Sequence, residues 1–329
     1  MNYKLWIVAG ALSASVPVLA QNAAPQSTPP DDFKILDHEV GVSGDFLYGN
    51  GYVQLPIHEA LFRGSELQND VGIGKFTTAD RKSALYYGGT LSGSIGKTWY
   101  LDVSYSRGTT EGSLNQLGSL FNLDDSKSEF YKSDYKLSDE YYQMYGKYAF
   151  PQFSGTRFAA YLRLGATYSE NSASVRYDVL GSVKGEFESK SNDYLGNIGL
   201  GSEYYIYRGD SFKVTTMIEG EAFGGLRTSS IEEKLSFGPQ EFNGAMDQDS
   251  LVYGGLGRGV LRLVKTLGQE GRWKLNADVG FQGKYLINEF DSMGNSVGES
   301  GGQGNSRQNV HGTELLWGPY GRVGLSYSF

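Results

Sequence analysis

Three histidines and a scatter of acids are all that this chain offers for acid–base chemistry. His38, His58 and His311 lie far apart in the sequence, and a lone imidazole in a polar segment is more often solvated than catalytic. His58 and His311, with acids such as Asp70 and Glu314, are the groups that a hydrolytic site would have to draw on. Gly294-Asn-Ser-Val-Gly298 spells a G-x-S-x-G pattern, but a nucleophile elbow needs a strand–turn–helix context. Here the pattern sits among Gly, Ser, Asn and Gln. With no cysteine and no paired histidines, neither a disulfide framework nor a metal centre is expected. Asp124, Asp125 and Glu129 read as solvated charges. Arg208-Gly209-Asp210 is a short turn between strands. The expectation is no enzyme activity, no metal and no cofactor.

A second set of charges carries more information. Arg163, Glu203, Glu219, Glu221, Arg258, Arg262, Asp278, Lys284 and Arg322, together with Lys147 and Lys274, each fall on the polar side of a segment whose alternate residues are apolar. In a closed sheet these side chains share one interior. Unpaired charge in a confined space is costly, so the two signs are expected to meet and pair across the axis. A single-sign lining would favour an ion-selective pore, whereas mixed signs favour a plugged lumen.

Those charges need strands to position them, and period-two segments run the length of the chain. Val40, Val42 and Phe46 alternate with Glu39, Ser43 and Asp45. Leu85 to Ile95 turns at Gly96-Lys97 into Trp99, Leu101, Val103 and Tyr105. Tyr142 to Phe150 precedes Phe158 to Ala166, and Ile198 to Ile206 precedes Phe212 to Ala222. Leu251 to Leu263, Trp273 to Phe281 and Trp317 to Phe329 complete ten strands, with eight or twelve as alternative counts. Tyr52 to Leu55 and Val71 to Phe76 are the segments that would add a hairpin. Connections after the even strands are short, and those after the odd strands are long and polar. That one-sided pattern is the asymmetry of a transmembrane β-barrel with periplasmic turns. A secreted sandwich or propeller also has many short strands but does not account for the one-sided connections.

Composition agrees with this reading. The 329 residues include 46 Gly, 24 Tyr and 17 Phe but only 8 Pro, and Pro17, Pro25, Pro29 and Pro30 precede the strands, which proline would interrupt. A net charge of -8 excludes a nucleic-acid binder, whose footprint is basic.

Both ends of the chain carry a further signal. A basic start, an apolar stretch from Leu5 to Val18 and Val18-Leu-Ala20 read as a signal peptide over 1–20, too short for a spanning anchor. Residues 21–35 form a proline-containing periplasmic leader, and 36–329 the barrel domain. The last strand places Val323, Leu325, Tyr327 and Phe329 at every second position. Ending on that Phe, it resembles the closing strand of bacterial outer-membrane β-barrel proteins. The resemblance implies an all-β antiparallel transmembrane barrel in the outer membrane, surrounded by lipid and lipopolysaccharide, with Phe329 and its alternate neighbours read by the barrel-assembly machinery.

Functionally, the expectation is a barrel with a narrow or plugged lumen that acts structurally or through loops at the cell surface, chiefly Thr109 to Ser138 and Ile287 to His311. The alternatives are a small-solute or ion channel and, on strand count alone, a rim hydrolase like the omptin proteases.

Overall fold

The computed structural model describes residues 39–55, 77–95, 98–113, 131–151, 157–179, 181, 183–209, 211–268, 270–297 and 303–329. The signal peptide, the leader, His38, His58, Asp70, Val71 to Phe76, Asp124, Asp125 and Glu129 lie outside them. Ten strands follow one another in sequence: β1 Glu39–Leu55, β2 Thr77–Ile95, β3 Trp99–Gly112, β4 Tyr131–Ala149, β5 Phe158–Val179, β6 Val183–Arg208, β7 Phe212–Phe237, β8 Gln240–Leu267, β9 Trp273–Val297 and β10 Gln303–Ser328. Each pairs antiparallel with its neighbours, and β10 returns to β1 to close the barrel. Closure leaves no sheet edge through the body of the wall, and in lipid that is the condition for a sheet to exist at all.

Alternation decides the two faces. Val42, Leu91, Val103, Met144, Ile198, Leu200, Ile218 and Val279 point outward and are exposed. Their sequence neighbours, among them Asp102, Glu219 and Asp278, are buried inside, as is Arg163 beside the exposed Leu164. Aromatic rows bound this apolar band. At the turn end Trp99 meets Tyr148 at 5.1 Å and Trp273 meets Tyr327 at 4.9 Å between ring centroids. At the opposite end Tyr105, Tyr142, Tyr168 and Tyr194 form a continuous row, spaced 5.0, 5.8 and 5.2 Å. An apolar belt between two aromatic girdles is the outer surface of a transmembrane barrel.

Inside, glycine and tyrosine explain each other. Tyr145 stands directly opposite Gly165, Tyr161 opposite Gly201 and Tyr86 opposite Gly108 in the strand register. Each ring lies over the glycine so closely that a Cβ there would sit 2.3 Å from it. Large rings laid over bare backbone fill the lumen without widening the barrel. Gly51, with φ of +153°, marks a register shift in β1 where an added Cβ would strike the Leu315 carbonyl.

The strands run much further than their apolar segments. Thr109 to Ser138 and Ile287 to His311 were expected as loops, but β3 continues to Gly112, β4 starts at Tyr131, β9 reaches Val297 and β10 starts at Gln303. Between β7 and β8 only Gly238 and Pro239 remain outside the strands, with Gly238 at φ of +57°. The difference has a physical cause: above the girdle the outer face meets water and turns polar, while Leu137, Val175, Phe187 and Ile231 point inward and are buried, so the apolar-out pattern of the lipid band inverts while the backbone ladder goes on. The 26 residues of β6 span about 85 Å along the strand at roughly 3.3 Å each. That is far more than the apolar band of about 25 Å requires even when tilted.

The rim formed by this overhang is uneven. β8 bonds to β7 up to Gln240, but to β9 only from Leu251 downward, and above Glu289 β9 is paired with β10 alone. A notch therefore separates the β7–β8 hairpin from the β9–β10 hairpin among the described residues.

Candidate functional site: a tiered lumen and its vestibule

The lumen is filled by three tiers of charge. Nearest the turn end, Arg262 of β8 holds Asp278 of β9 by two parallel bonds of 2.9 Å and reaches Glu203 at 3.4 Å. Beside them Arg322 pairs with Asp45, with Thr90 at 3.3 Å, and Lys274 pairs with Glu39. Since β8, β9, β10 and β1 are consecutive in the wall, this tier laces the closing seam.

Glu219 is the hub of the middle tier. It accepts a 2.9 Å bond from Arg258 Nε and a 2.6 Å bond from the Tyr161 hydroxyl, and it faces Lys147 and Arg163, each at 3.6 Å. Glu221, two residues along on the same face, takes Arg163 at 3.0 Å and the Tyr145 hydroxyl at 3.0 Å. Lys147 also meets Asp102 at 3.1 Å. Partners from β4, β5 and β8 thus converge on two carboxylates of β7, and Asp102 of β3 joins the tier through Lys147.

The upper tier lies beyond the aromatic row, outside the apolar band. Arg81 is shared by Asp139 and by Glu314 at 3.2 Å, while the Tyr86 hydroxyl donates to Asp139 at 2.5 Å. Burial by itself would raise the Asp139 carboxyl, yet the charge of Arg81 and the bonds from Arg81 and Tyr86 prevail and hold it below its ordinary value. Alongside, Arg227 grips Asp193 at 2.5 and 2.8 Å, and Ser169 and Asn171 complete the set at 3.0 and 3.1 Å. Above this tier opens a small polar vestibule of about 60 Å³, walled by Asn171, Ser191, Ser229, Asn288 and Thr313. Two groups in its lining, Arg81 Nε and Asn288 Oδ1, have no hydrogen-bond partner among the described residues, and each needs one to offset its burial.

Eight of the nine charges expected to form the lumen network, Arg163, Glu203, Glu219, Glu221, Arg258, Arg262, Asp278 and Arg322, stand in ion pairs. Lys284 differs: it faces inward but lies over the rings of Tyr141 and Phe223, at 4.5 and 5.7 Å, with no carboxylate within ion-pair distance among the described residues. Arg81, Asp139, Asp193, Arg227 and Glu314 complete the interior without having been placed in it from the sequence. The signal that could have found them is the inward parity of β2, β4, β6, β7 and β10, carried past the girdle.

The remaining candidates stay apart. His311 Nδ1 is 3.7 Å from Glu289, which accepts the Tyr253 hydroxyl at 2.8 Å at the base of the notch, and no serine or threonine nucleophile is bonded to that imidazole among the described residues. Gly294 to Val297 lie in β9 rather than in a loop or an elbow. Gly209 sits in the tight β6–β7 turn, its N–H donating to the Phe212 carbonyl at 2.9 Å. Val323 and Leu325 face outward, the rings of Tyr327 and Phe329 meet edge-on at 5.2 Å, and Phe329 is 80% exposed beyond the last strand bond.

No protein-family model matches the chain, and no curated protein sequence matches it either. Solved outer-membrane proteins align with it along most of its length. The outer membrane protease OmpT from Escherichia coli aligns over 93% of this chain and 99% of its own, at 12% identity and a TM-score of 0.47. The translocator domain of the autotransporter NalP from Neisseria meningitidis aligns over 99% and 97%, at 12% identity and a TM-score of 0.39. The transport unit of the autotransporter AIDA-I from Escherichia coli aligns over 96% and 98%, also at 12% identity and 0.39. At these identities and TM-scores the alignments say nothing about function; the closed, ten-stranded antiparallel β-barrel is read from this chain's own strand pairing.

Proposed function

We propose that this chain is a plugged outer-membrane barrel that works through its cell-surface vestibule rather than by conduction. One observation carries the reading: Glu219, buried in the lumen, is bonded or paired to Arg258 of the neighbouring β8 and to Tyr161, Arg163 and Lys147 of β5 and β4, a cluster of fixed charges that occupies the interior. A barrel of this width has little room to spare, since eight strands are already filled by side chains and wide channels need about 16–18. The outward apolar belt and its aromatic girdles support the membrane placement. The short turns at the Trp99 end support a periplasmic position for that end. On this reading the tall β4–β8 wall and the vestibule face outside, lipopolysaccharide surrounds the Tyr105–Tyr194 row, and Phe329 is the element offered to the barrel-assembly machinery.

Planar bilayers test the proposal. Purified protein should give no stable conductance steps, while Glu219→Gln, which releases three cations from a shared acid, should leak. Stable steps of uniform size from the unaltered chain would support the channel reading and remove this one.

A further inference from the structure

The notch in the rim leaves two strand edges with no ladder partner among the described residues. β8 is bonded to β7 from Gln240 onward, but β9 joins it only from Leu251. Every second residue of 240–250 therefore turns its N–H and C=O into the notch, and β9 does the same above Glu289. Charge explains why the two edges do not close on each other. One further outward pair in the same register would set Asp249 directly across from Asp291, and like charges so placed destabilise a strand pair. Glu241, Asp247 and Asp249 share the outer face of the β8 edge and are exposed. Across from them in β7 stand Ser236, Ser230 and Thr228, so no cation opposes any of the three. Neither 240–250 nor 289–297 contains a lysine or an arginine.

We infer that the open β8 edge is a docking site for an extended peptide segment with Lys or Arg at alternate positions, which adds to the sheet as one more strand. Backbone bonds to 240–250 give the attachment, and cations with a period of two face Glu241, Asp247 and Asp249 on the outer side. On the same face of β7, Lys234 is offset by Glu232, so the acids of β8 set the sign of the surface. A second copy of this chain fits poorly, because antiparallel pairing of two β8 edges about Ala245 would oppose Glu241 to Asp249. The site rests on the cell-surface reading only for the compartment from which the peptide arrives. The competing account is that the acids keep an exposed edge solvated and unpaired, as charges on edge strands do.

Synthetic peptides separate the two accounts. A fluorescent peptide alternating Lys and Thr, added to the full chain in detergent, should bind saturably and slow backbone hydrogen exchange in 240–250. The same peptide N-methylated throughout keeps its charges but cannot join a sheet, and should bind many-fold more weakly. Replacing both exposed acids, Asp247→Asn with Asp249→Asn, should raise the Kd several-fold, and a peptide alternating Glu and Thr should not bind. Equal binding of the N-methylated peptide would reduce the contact to charge alone and overturn the site. Unslowed exchange in 240–250, or an unchanged Kd in the doubly substituted chain, would also overturn it and leave the acids as protection of a bare edge. None of these measurements uses a bilayer or an orientation. Conductance would therefore remove the plugged reading and leave the docking site standing, while loss of binding would do the reverse.

Discussion

Arg262 and Asp278 occupy directly opposed positions in the β8–β9 register, and two parallel N–H···O bonds of 2.9 Å join the guanidinium to both carboxylate oxygens. Because Asp278 is buried, breaking this fork leaves a guanidinium short of charge in the bore. Asp278→Asn is expected to cost about 3 kcal/mol, the lower end for a broken buried pair, since Glu203 still reaches Arg262. Urea unfolding in detergent measures it. A loss indistinguishable from that of an exposed pair, such as Lys136 with Glu111, would contradict the buried role.

Ile218 lies midway along the apolar part of β7 and points outward, 56% exposed. Ile218→Arg is expected to cost about 2–4 kcal/mol, the depth-dependent penalty for a cation facing lipid near the midplane. Refolding into vesicles gives the value, and a neutral result would reverse the assignment of the two faces.

Asp139 links the upper tier to pH. A carboxyl whose pKa is lowered on folding adds stability that is fully present above its unfolded pKa of about 3.9, and this is lost as pH falls through the folded value. The unfolding midpoint should therefore drop with acidification below pH 4 or so, and less steeply in Asp139→Asn. Parallel pH profiles for the two proteins would show that Asp139 contributes nothing to the acid response.

Phe329 follows the last residue of β10, and its ring is largely exposed, meeting only Tyr327 edge-on among the ring contacts of the described residues. Phe329→Ala should leave the folded barrel nearly as stable as before while slowing its assembly in cells. Pulse-labelled cells followed by gel migration of unboiled samples report the rate. An unchanged rate would restrict Phe329 to the aromatic row.

Opposite ends of the barrel should face opposite compartments. An epitope placed in 298–302 is expected to bind antibody on intact cells, and one at Gly209 only after permeabilisation. Labelling of the Gly209 tag on intact cells would invert the topology and expose Arg208-Gly209-Asp210.

How far the sequence could be read depended on the solvent each segment meets. Within the lipid band, Leu162 and Arg163 or Ile218 and Glu219 stand in opposite media, so neighbouring residues differ sharply and the face of each is plain. Beyond the band the outer face is polar and the inner face mixes Tyr135 and Leu137 with Asp139, so a search for apolar residues facing outward finds none there. For that reason β4 reads as starting near Tyr142 when it starts at Tyr131, and Arg81, Asp139 and Glu314 pass for loop residues. Lys284 was legible as an inward charge, but the lack of an acid beside it depends on which strands stand across the bore, and no local pattern carries that.

The notch between the β7–β8 and β9–β10 hairpins changes how a ligand can be presented. A complete collar would admit only what can enter end-on from above, and would cap ligand length at the width of the mouth. On the proposed vestibule reading, the collar, split above Leu251 and Glu289 among the described residues, would let a polymer lie sideways across the mouth and leave its remainder outside the protein. Selectivity would then be set by a short internal stretch of the ligand, with no requirement for a free end.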